Sequence, residues 1–219
     1  SGTLRNIHTA GSIEVLTDAA GGITSLVGNF SPPFGSGSTS IENVSSSVNI
    51  VGLSGIGGAF GAVVDGVTIK NSYAMGSVTS NATTSDGAAG GFTGSLSGTA
   101  LIENSFATGN VSGSNTGRDV GGFVGGHSKG TIRNSYATGN VTGNGPVGGF
   151  VGVMNGEGII EDSYATGSVI SKNPPAQDGS GGFAGTIGGT AAAIDQIHRC
   201  YSSGSVNGVN SDAVGGFVG

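Results

Sequence analysis

Residues 131–143 read TIRNSYATGNVTG, and nearly the same phrase recurs as TIKNSYAMGSVTS from Thr68, LIENSFATGNVSG from Leu101 and IIEDSYATGSVIS from Ile159. A unit repeated at a fixed period constrains the fold more than any composition does, because each unit must pack in the same way on its neighbours. Between phrases lies a GGF-like element: Gly58–Phe60, Gly90–Phe92, Gly121–Phe123, Gly148–Phe150, Gly181–Phe183 and Gly215–Phe217. Successive Phe residues are 32, 31, 27, 33 and 34 positions apart, and the variation falls in the linkers, which read as loops. The N-terminal part keeps the same frame less strictly. SIENVSSSVNIVG from Ser40 and TLRNIHTAGSIEV from Thr3 align with the phrase, with Gly21–Ile23 as the GGF element between them.

Stacking the copies gives columns. The first apolar column is Leu4, Ile41, Ile69, Ile102, Ile132, Ile160 and Ile197, and a second, nine residues on, is Ile13, Ile50, Val78, Val111, Val141, Val169 and Val206. A third is Ile23, Phe60, Phe92, Phe123, Phe150, Phe183 and Phe217, and a fourth is His8, Ser45, Tyr73, Phe106, Tyr136, Tyr164 and Tyr201. Of thirteen Phe and Tyr residues only Phe30 and Phe34 fall outside the last two columns, so both columns read as core.

A unit of this size cannot bury a core alone, but stacked units can. Abundant Val, Ile and Thr between Gly, Asn and Ser punctuation indicates short strands, and helix formers are rare. The expected fold is therefore all-β: a right-handed parallel β-helix, or β-solenoid, of about seven coils with one repeat of about 30 residues per coil. Residues 1–219 form a single solenoid fragment on this reading, with degenerate repeats over 1–56 and well-formed ones over 57–219. It starts and ends mid-repeat. With no initiator Met and no signal-peptide pattern at Ser1, the chain reads as a piece of something longer.

The remaining columns carry polar information. Arg5, Glu42, Lys70, Glu103, Arg133 and Glu161 alternate in sign and end on His198. One repeat per coil would set each charge between opposite charges, an exposed ladder that fixes register. The next column is Asn6, Asn43, Asn71, Asn104, Asn134, Asp162 and Arg199, which reads as a buried amide ladder that Asp162 and Arg199 end with an ion pair or a hydrogen-bonded turn. A Gly column (Gly11, Gly76, Gly109, Gly139, Gly167, Gly204, with Val48 as its exception) reads as a tight bend or a positive φ. Cys200 occupies the slot of Ser72, Ser105, Ser135 and Ser163 and reads as a small packed residue.

Little in the chain points to chemistry. No catalytic, cofactor-binding or metal-binding residues are assigned, and no cofactor is expected. His8, His127 and His198 are the only histidines, none at ligand spacing, and HExxH and CxxC are absent. GGFVGG at Gly121–Gly126 lacks the GK[ST] ending of a phosphate loop, and the Ca²⁺-binding nonapeptide is missing. Thirteen acids are spread along the chain; Asp65, Asp86, Asp119, Asp178 and Asp212 lie in linkers, where gathering on one side would be the route to a glycan-cleaving enzyme. Met75, Thr108, Thr138, Thr166 and Ser203 are too short and interrupted an array for ice. Sequons such as those at Asn81, Asn110 and Asn140 fit chance in a chain this rich in Asn, Ser and Thr. A net charge of −6 with seven scattered Lys and Arg argues against nucleic acid, and no apolar run approaches the ~20 residues of a membrane span.

GGFVG followed by GTIRNSYATGNVTG resembles the GLUG repeat of large bacterial surface proteins, adhesin-like proteins and the non-catalytic region of IgA-specific metallopeptidases. The resemblance covers about Gly57 to Gly219 well and residues 1–56 in degenerate form. It implies a parallel β-helix, an extracellular or bacterial cell-surface location and no activity, since the family's enzymes carry their catalytic residues elsewhere. The expected role is a non-catalytic stalk, shaft or adhesive region. Its expected partners are flanking repeats or domains of the same protein. The alternatives are a module that binds glycan or host protein through the loops after Ser80, Ser112 and Ser171, a filament subunit that self-associates head to tail, and a glycan-active enzyme.

Overall fold

A computed structural model describes residues 2–16, 18–28, 37–83, 87–114, 119–172, 178–188, 194–209 and 213–219. Among these residues there are thirty short strands and no helix, and every strand pairing is parallel. The strands stack into three sheets that run the length of a β-solenoid. The third sheet holds seven strands, from Ala20–Gly21 to Ala213–Gly215. Seven layers correspond to about six full turns between the first layer and the last, one fewer than the seven coils expected from counting phrases.

The register is the one the columns require. Leu4 pairs with Ile41, Ile41 with Ile69, Ile69 with Ile102, Ile102 with Ile132, Ile132 with Ile160 and Ile160 with Ile197. The first sheet also takes the segment after each GGF element. The two segments fuse into the long strands Val124–Arg133 and Val151–Glu161, whereas elsewhere a turn such as Val64–Gly66 separates them. The second sheet carries the aromatic and Val columns.

The core is a set of ladders. Phe60, Phe92, Phe123, Phe150 and Phe183 are fully buried, as are Ile41, Ile69, Ile102, Ile132 and Ile160. From Phe92 to Phe217 the rings stack at 4.8–4.9 Å and within 7° of parallel. Only the Phe60–Phe92 pair is tilted, at 60°. Each buried ring contributes about 1.5–3 kcal/mol by leaving water, and each stacked pair adds about 0.5–1.5. The column Ile50, Val78, Val111, Val141 and Val169 builds a separate core with Ile56, Ala89, Val120 and Val147.

The fourth column departs from expectation. Tyr73, Phe106, Tyr136 and Tyr164 are only half-buried and Tyr201 is 53% exposed, whereas their successors Ala74, Ala107, Ala137 and Ala165 are fully buried. The cause is the Gly–Gly pair facing them. A Cβ on Gly91 would lie 3.1 Å from the Ala107 Cβ, and one on Gly122 would lie 3.2 Å from that of Ala137. The interior there is one methyl group wide, so the aromatics turn outward. They stack on the surface at 4.8–5.0 Å instead.

The Asn column also departs. Asn6, Asn43, Asn71, Asn104, Asn134, Asp162 and Arg199 all have φ of 50–55° and are exposed. Each is a one-residue left-handed corner between the first and second sheets, which Asn tolerates better than other side chains. Among the Asn side chains of this column in the described residues, only Asn43 Nδ2 reaches its neighbour, Asn6 Oδ1, at 3.5 Å. The buried ladder belongs instead to the following residue. Ser72 Oγ donates to Lys70 O at 2.7 Å and accepts from the Val44 N–H, and Ser105 and Ser135 repeat the pattern. Ser163 does the same, donating to Glu161 O and accepting from the Ser135 N–H. Ser135→Ala therefore strands the Ser105 N–H in the core. It should cost about 1–3 kcal/mol in denaturant unfolding, against a few tenths for Ser135→Cys, the residue the chain itself uses at Cys200.

The Gly column needs closeness rather than a positive φ. Only Gly11 has one, at 122°. A Cβ on Gly109, Gly139, Gly167 or Gly204 would lie 1.9–2.0 Å from the carbonyl oxygen of the Gly one coil before. Where Val48 replaces Gly, the chain does not bend and runs straight as Ser45–Gly52, while later coils break into pairs such as Tyr73–Ala74 and Val78–Ser80.

Candidate functional site

The outer surface offers four places where chemistry could gather: the charged column, the corner ladders, the aromatic ridge and the loops. In the charged column every step sets acid against base or His. Arg5 meets Glu42 at 3.4 Å, and Glu103 sits between Lys70 and Arg133, 3.1 Å from each. Lys70, and then Arg133, hold the Glu103 carboxyl below the usual carboxylate range although burial opposes it. At the last layer Arg199 grips Asp162 through two bonds of 2.6 and 2.7 Å and also reaches Glu161 at 3.1 Å. Of the two endings expected there, the Asp162–Arg199 ion pair is the one present, with Glu161 drawn into it. These groups are each other's partners, and no ligand is needed to neutralise them.

A second polar ladder escaped the sequence reading. Asn49 Oδ1 accepts the Ser77 N–H at 2.9 Å, Asn110 Oδ1 accepts the Asn140 N–H at 2.9 Å, and Asn140 Oδ1 accepts the Ser168 N–H at 3.0 Å. The column Ser12, Asn49, Ser77, Asn110, Asn140, Ser168, Ser205 was visible as a signal. The sequon amides of Asn110 and Asn140 are therefore engaged between coils.

The aromatic ridge is a poor sugar platform for a geometric reason. Carbohydrate stacking needs an open ring face, and here each interior ring lies against the next within 1–8° of parallel. The ridge presents ring edges and hydroxyls, and an open face remains only at its ends.

The loops after Ser80 and Ser112 line an open cleft of about 440 Å³ with Thr79, Asn81, Thr83 and Ser114. Among the described residues every side chain that lines it is neutral. The loop after Ser171 leaves the described residues beyond Lys172, and Asp86, Asp212, Phe30 and Phe34 also lie outside them. The remaining linker acids leave the stack from two different sheets. Asp65 lies in a turn of the first sheet, where its Oδ1 accepts the Thr99 N–H at 2.9 Å, whereas Asp119 and Asp178 precede strands of the third sheet. Asp195, which the sequence did not single out, accepts the Gly156 and Gly158 N–H groups at 2.9–3.2 Å.

The three histidines lie in three different layers. His8 Nδ1 is 2.8 Å from Ser45 Oγ, and His198 Nε2 is 3.0 Å from Gln196 Oε1. His127 is buried, its Nε2 3.2 Å from Gly130 O, and burial pushes its pKa down to about 4. Burial raises the half-buried Cys200 thiol, whose Sγ donates to His198 O at 3.2 Å. Among the described residues no three His, Cys, Asp or Glu side chains cluster to hold a metal ion.

Residues 116–142 and 143–170 each match the model of the GLUG motif. The chain carries two adjacent GLUG motifs over these residues. The two matched GLUG repeats supply Tyr136, Tyr164, Phe123 and Phe150, and the unmatched coils on either side occupy the same register. A crystal structure from Bacteroides ovatus, of a protein provisionally named an immunoglobulin A1 protease, is similar to this solenoid with a TM-score of 0.56 and 20% identity. The similarity covers 97% of this chain and 66% of that one, so the chain spans less than two thirds of its neighbour's length. At this identity the likeness concerns the fold. No curated protein matches the sequence.

Proposed function

We propose that the chain is a non-catalytic structural segment, a shaft of a large extracellular bacterial repeat protein. The observation that carries this reading is that its polar columns are spent between coils. The charged column, the Ser ladder and the Asn–Ser ladder each bond one coil to the next. The GLUG repeats and the β-helical fold support a bacterial repeat protein, and Cys scarcity suits a secreted chain that needs no disulfides. The protease name belongs to the structural neighbour, whose likeness at 20% identity concerns the fold.

A second reading, adhesion through the loops, is favoured by the open cleft beside Ser80 and Ser112. A glycan array probed with the chain, and with a variant whose 81–88 and 113–118 loops are shortened to the length of 144–146, separates the two. The shaft reading expects no glycan above background and an unchanged circular dichroism spectrum on shortening. Tight binding that disappears with the loops would replace it by adhesion.

A further inference from the structure

Inside the stack, Tyr73, Phe106, Tyr136 and Tyr164 form a ridge on the outer face of the second sheet, each ring 4.8–4.9 Å from the next and within 5° of parallel. Rings piled along the axis turn their edges to the side. Two residues on, and so on the same face, runs the exposed column Met75, Thr108, Thr138 and Thr166. The next outward column is Ser77, Asn110, Asn140 and Ser168. Tall rings beside short side chains make a straight shelf parallel to the axis. Its wall is aromatic edge, its floor is the methyl and hydroxyl groups of the Thr column with the Met75 thioether, and neither column holds a charged residue. The Asn110 and Asn140 amides beyond it are engaged between coils, whereas among the described residues the Thr108, Thr138 and Thr166 hydroxyls have no hydrogen-bond partner.

The wall selects a ligand by its charge distribution. An aromatic ring is negative on its faces and positive around its edge, so ring edges attract the face of another π system. A saccharide would offer its C–H groups, positive against positive. A flat conjugated molecule lying along the axis would instead set its face against several ring edges at once and one long side on the Thr floor. Three steps of 4.8–4.9 Å separate the outer two of the four rings, which suits a molecule of two or three fused or linked rings. Nothing on the shelf would compensate a charge on that molecule.

We propose that this shelf is a binding site for elongated, planar, uncharged aromatic molecules. Its four rings are interior rungs of the ladder, with a paired residue on either side, so the end layers are not part of it. The proposal is independent of the shaft reading, since a shaft, an adhesin or an enzyme with this stack would carry the same shelf.

Fluorescence anisotropy of the neutral dye aminophenylbenzothiazole, titrated with the 219-residue chain at neutral pH, tests it. Saturable binding that high salt leaves unchanged is expected. Phe106→Ser combined with Tyr136→Ser puts the residue type of Ser45 in the middle of the ridge and should weaken binding about tenfold, through the loss of two edge-to-face contacts. Thr138→Tyr leaves the ridge rings in place and fills the floor. It should weaken binding by a similar factor, and it keeps the test available if circular dichroism shows the double variant unfolded. Tyr201→Ser, at the open ring face of the last layer, and Asn81→Ala, in the cleft beside Ser80, should each leave the affinity unchanged. The proposal is overturned if the dye does not bind or if Thr138→Tyr leaves its affinity unchanged. Loss of binding in Tyr201→Ser or Asn81→Ala would also overturn it, by placing the dye on the end ring or in the cleft. So would binding of the cationic dye thioflavin T alone, abolished by salt, which would reduce the effect to the net charge of −6.

Discussion

Gly122→Ala should unfold much of the stack, costing about 3–5 kcal/mol in denaturant titration, while Gly216→Ala in the same column should stay within about 0.5 kcal/mol. The two glycines occupy equivalent places in their GGF elements and neither has a positive φ, so backbone conformation does not distinguish them. A Cβ on Gly122 would lie 2.1 Å from the Gly149 carbonyl oxygen in the next coil, whereas one on Gly216 meets nothing within 4 Å. The obstacle at Gly122 is backbone, and it cannot retreat. Gly122 N–H donates to Gly148 O at 3.1 Å and Phe123 N–H to Phe150 O at 2.8 Å, which fixes the spacing between the two coils. If both substitutions proved equally costly, the glycines would be required for their own geometry rather than for stacking. If neither were costly, the coils would be further apart than described.

This contrast also shows why some of the fold could be read from the residues and some could not. The period, the parallel register and the Ile, Val and Phe ladders follow from columns that keep one residue type through successive copies, because stacking places like on like. The alternating charges beside Ile69, Ile102 and Ile132 were readable for the same reason. Direction was not readable. Strand alternation puts Asn134 on the same side as Ile132, but a single left-handed residue at Asn134 resets the alternation, and everything after it changes face. Tyr136 thereby goes outward and Ala137 inward, and the hydroxyl that closes the corner is that of Ser135 rather than the amide of Asn134. The deciding fact, an interior only wide enough for Gly against Ala, depends on two elements far apart in sequence. The linkers are subject to the same limit. Linker lengths showed where loops leave the stack, but not that Asp65 leaves from a different sheet than Asp119.

His127 gives the chain an acid sensitivity that its neighbours in the column do not share. It pairs with Leu96 on one side and Met154 on the other, so an imidazole stands where the adjoining coils place apolar side chains. The ring is 1% exposed, its Nδ1 has no hydrogen-bond partner, and a Cβ on Gly158 would lie 2.8 Å from it. Burial disfavours the imidazolium and lowers the pKa from 6.5 to about 4, outweighing the carbonyls of Gly130 and Lys129 that favour it. Between those two values the unfolded chain binds a proton that the folded chain refuses. Stability is therefore complete above about pH 6.5 and falls as the pH drops toward 4, by about 3 kcal/mol across the window. The depressed carboxylates Glu103 and Asp162 lose their contributions only below their ordinary values of 4.5 and 3.8, so the upper part of the window belongs to the imidazole. His127→Met, which extends the Met154 type by one coil, should match the unaltered chain within about 1 kcal/mol at pH 7.5 and exceed it by about 2–3 kcal/mol at pH 4.5. Urea midpoints measured at both pH values decide the matter: parallel losses in the two proteins would mean that His127 titrates in the fold much as it does in the unfolded chain, and that its burial is not what the coil stacking implies.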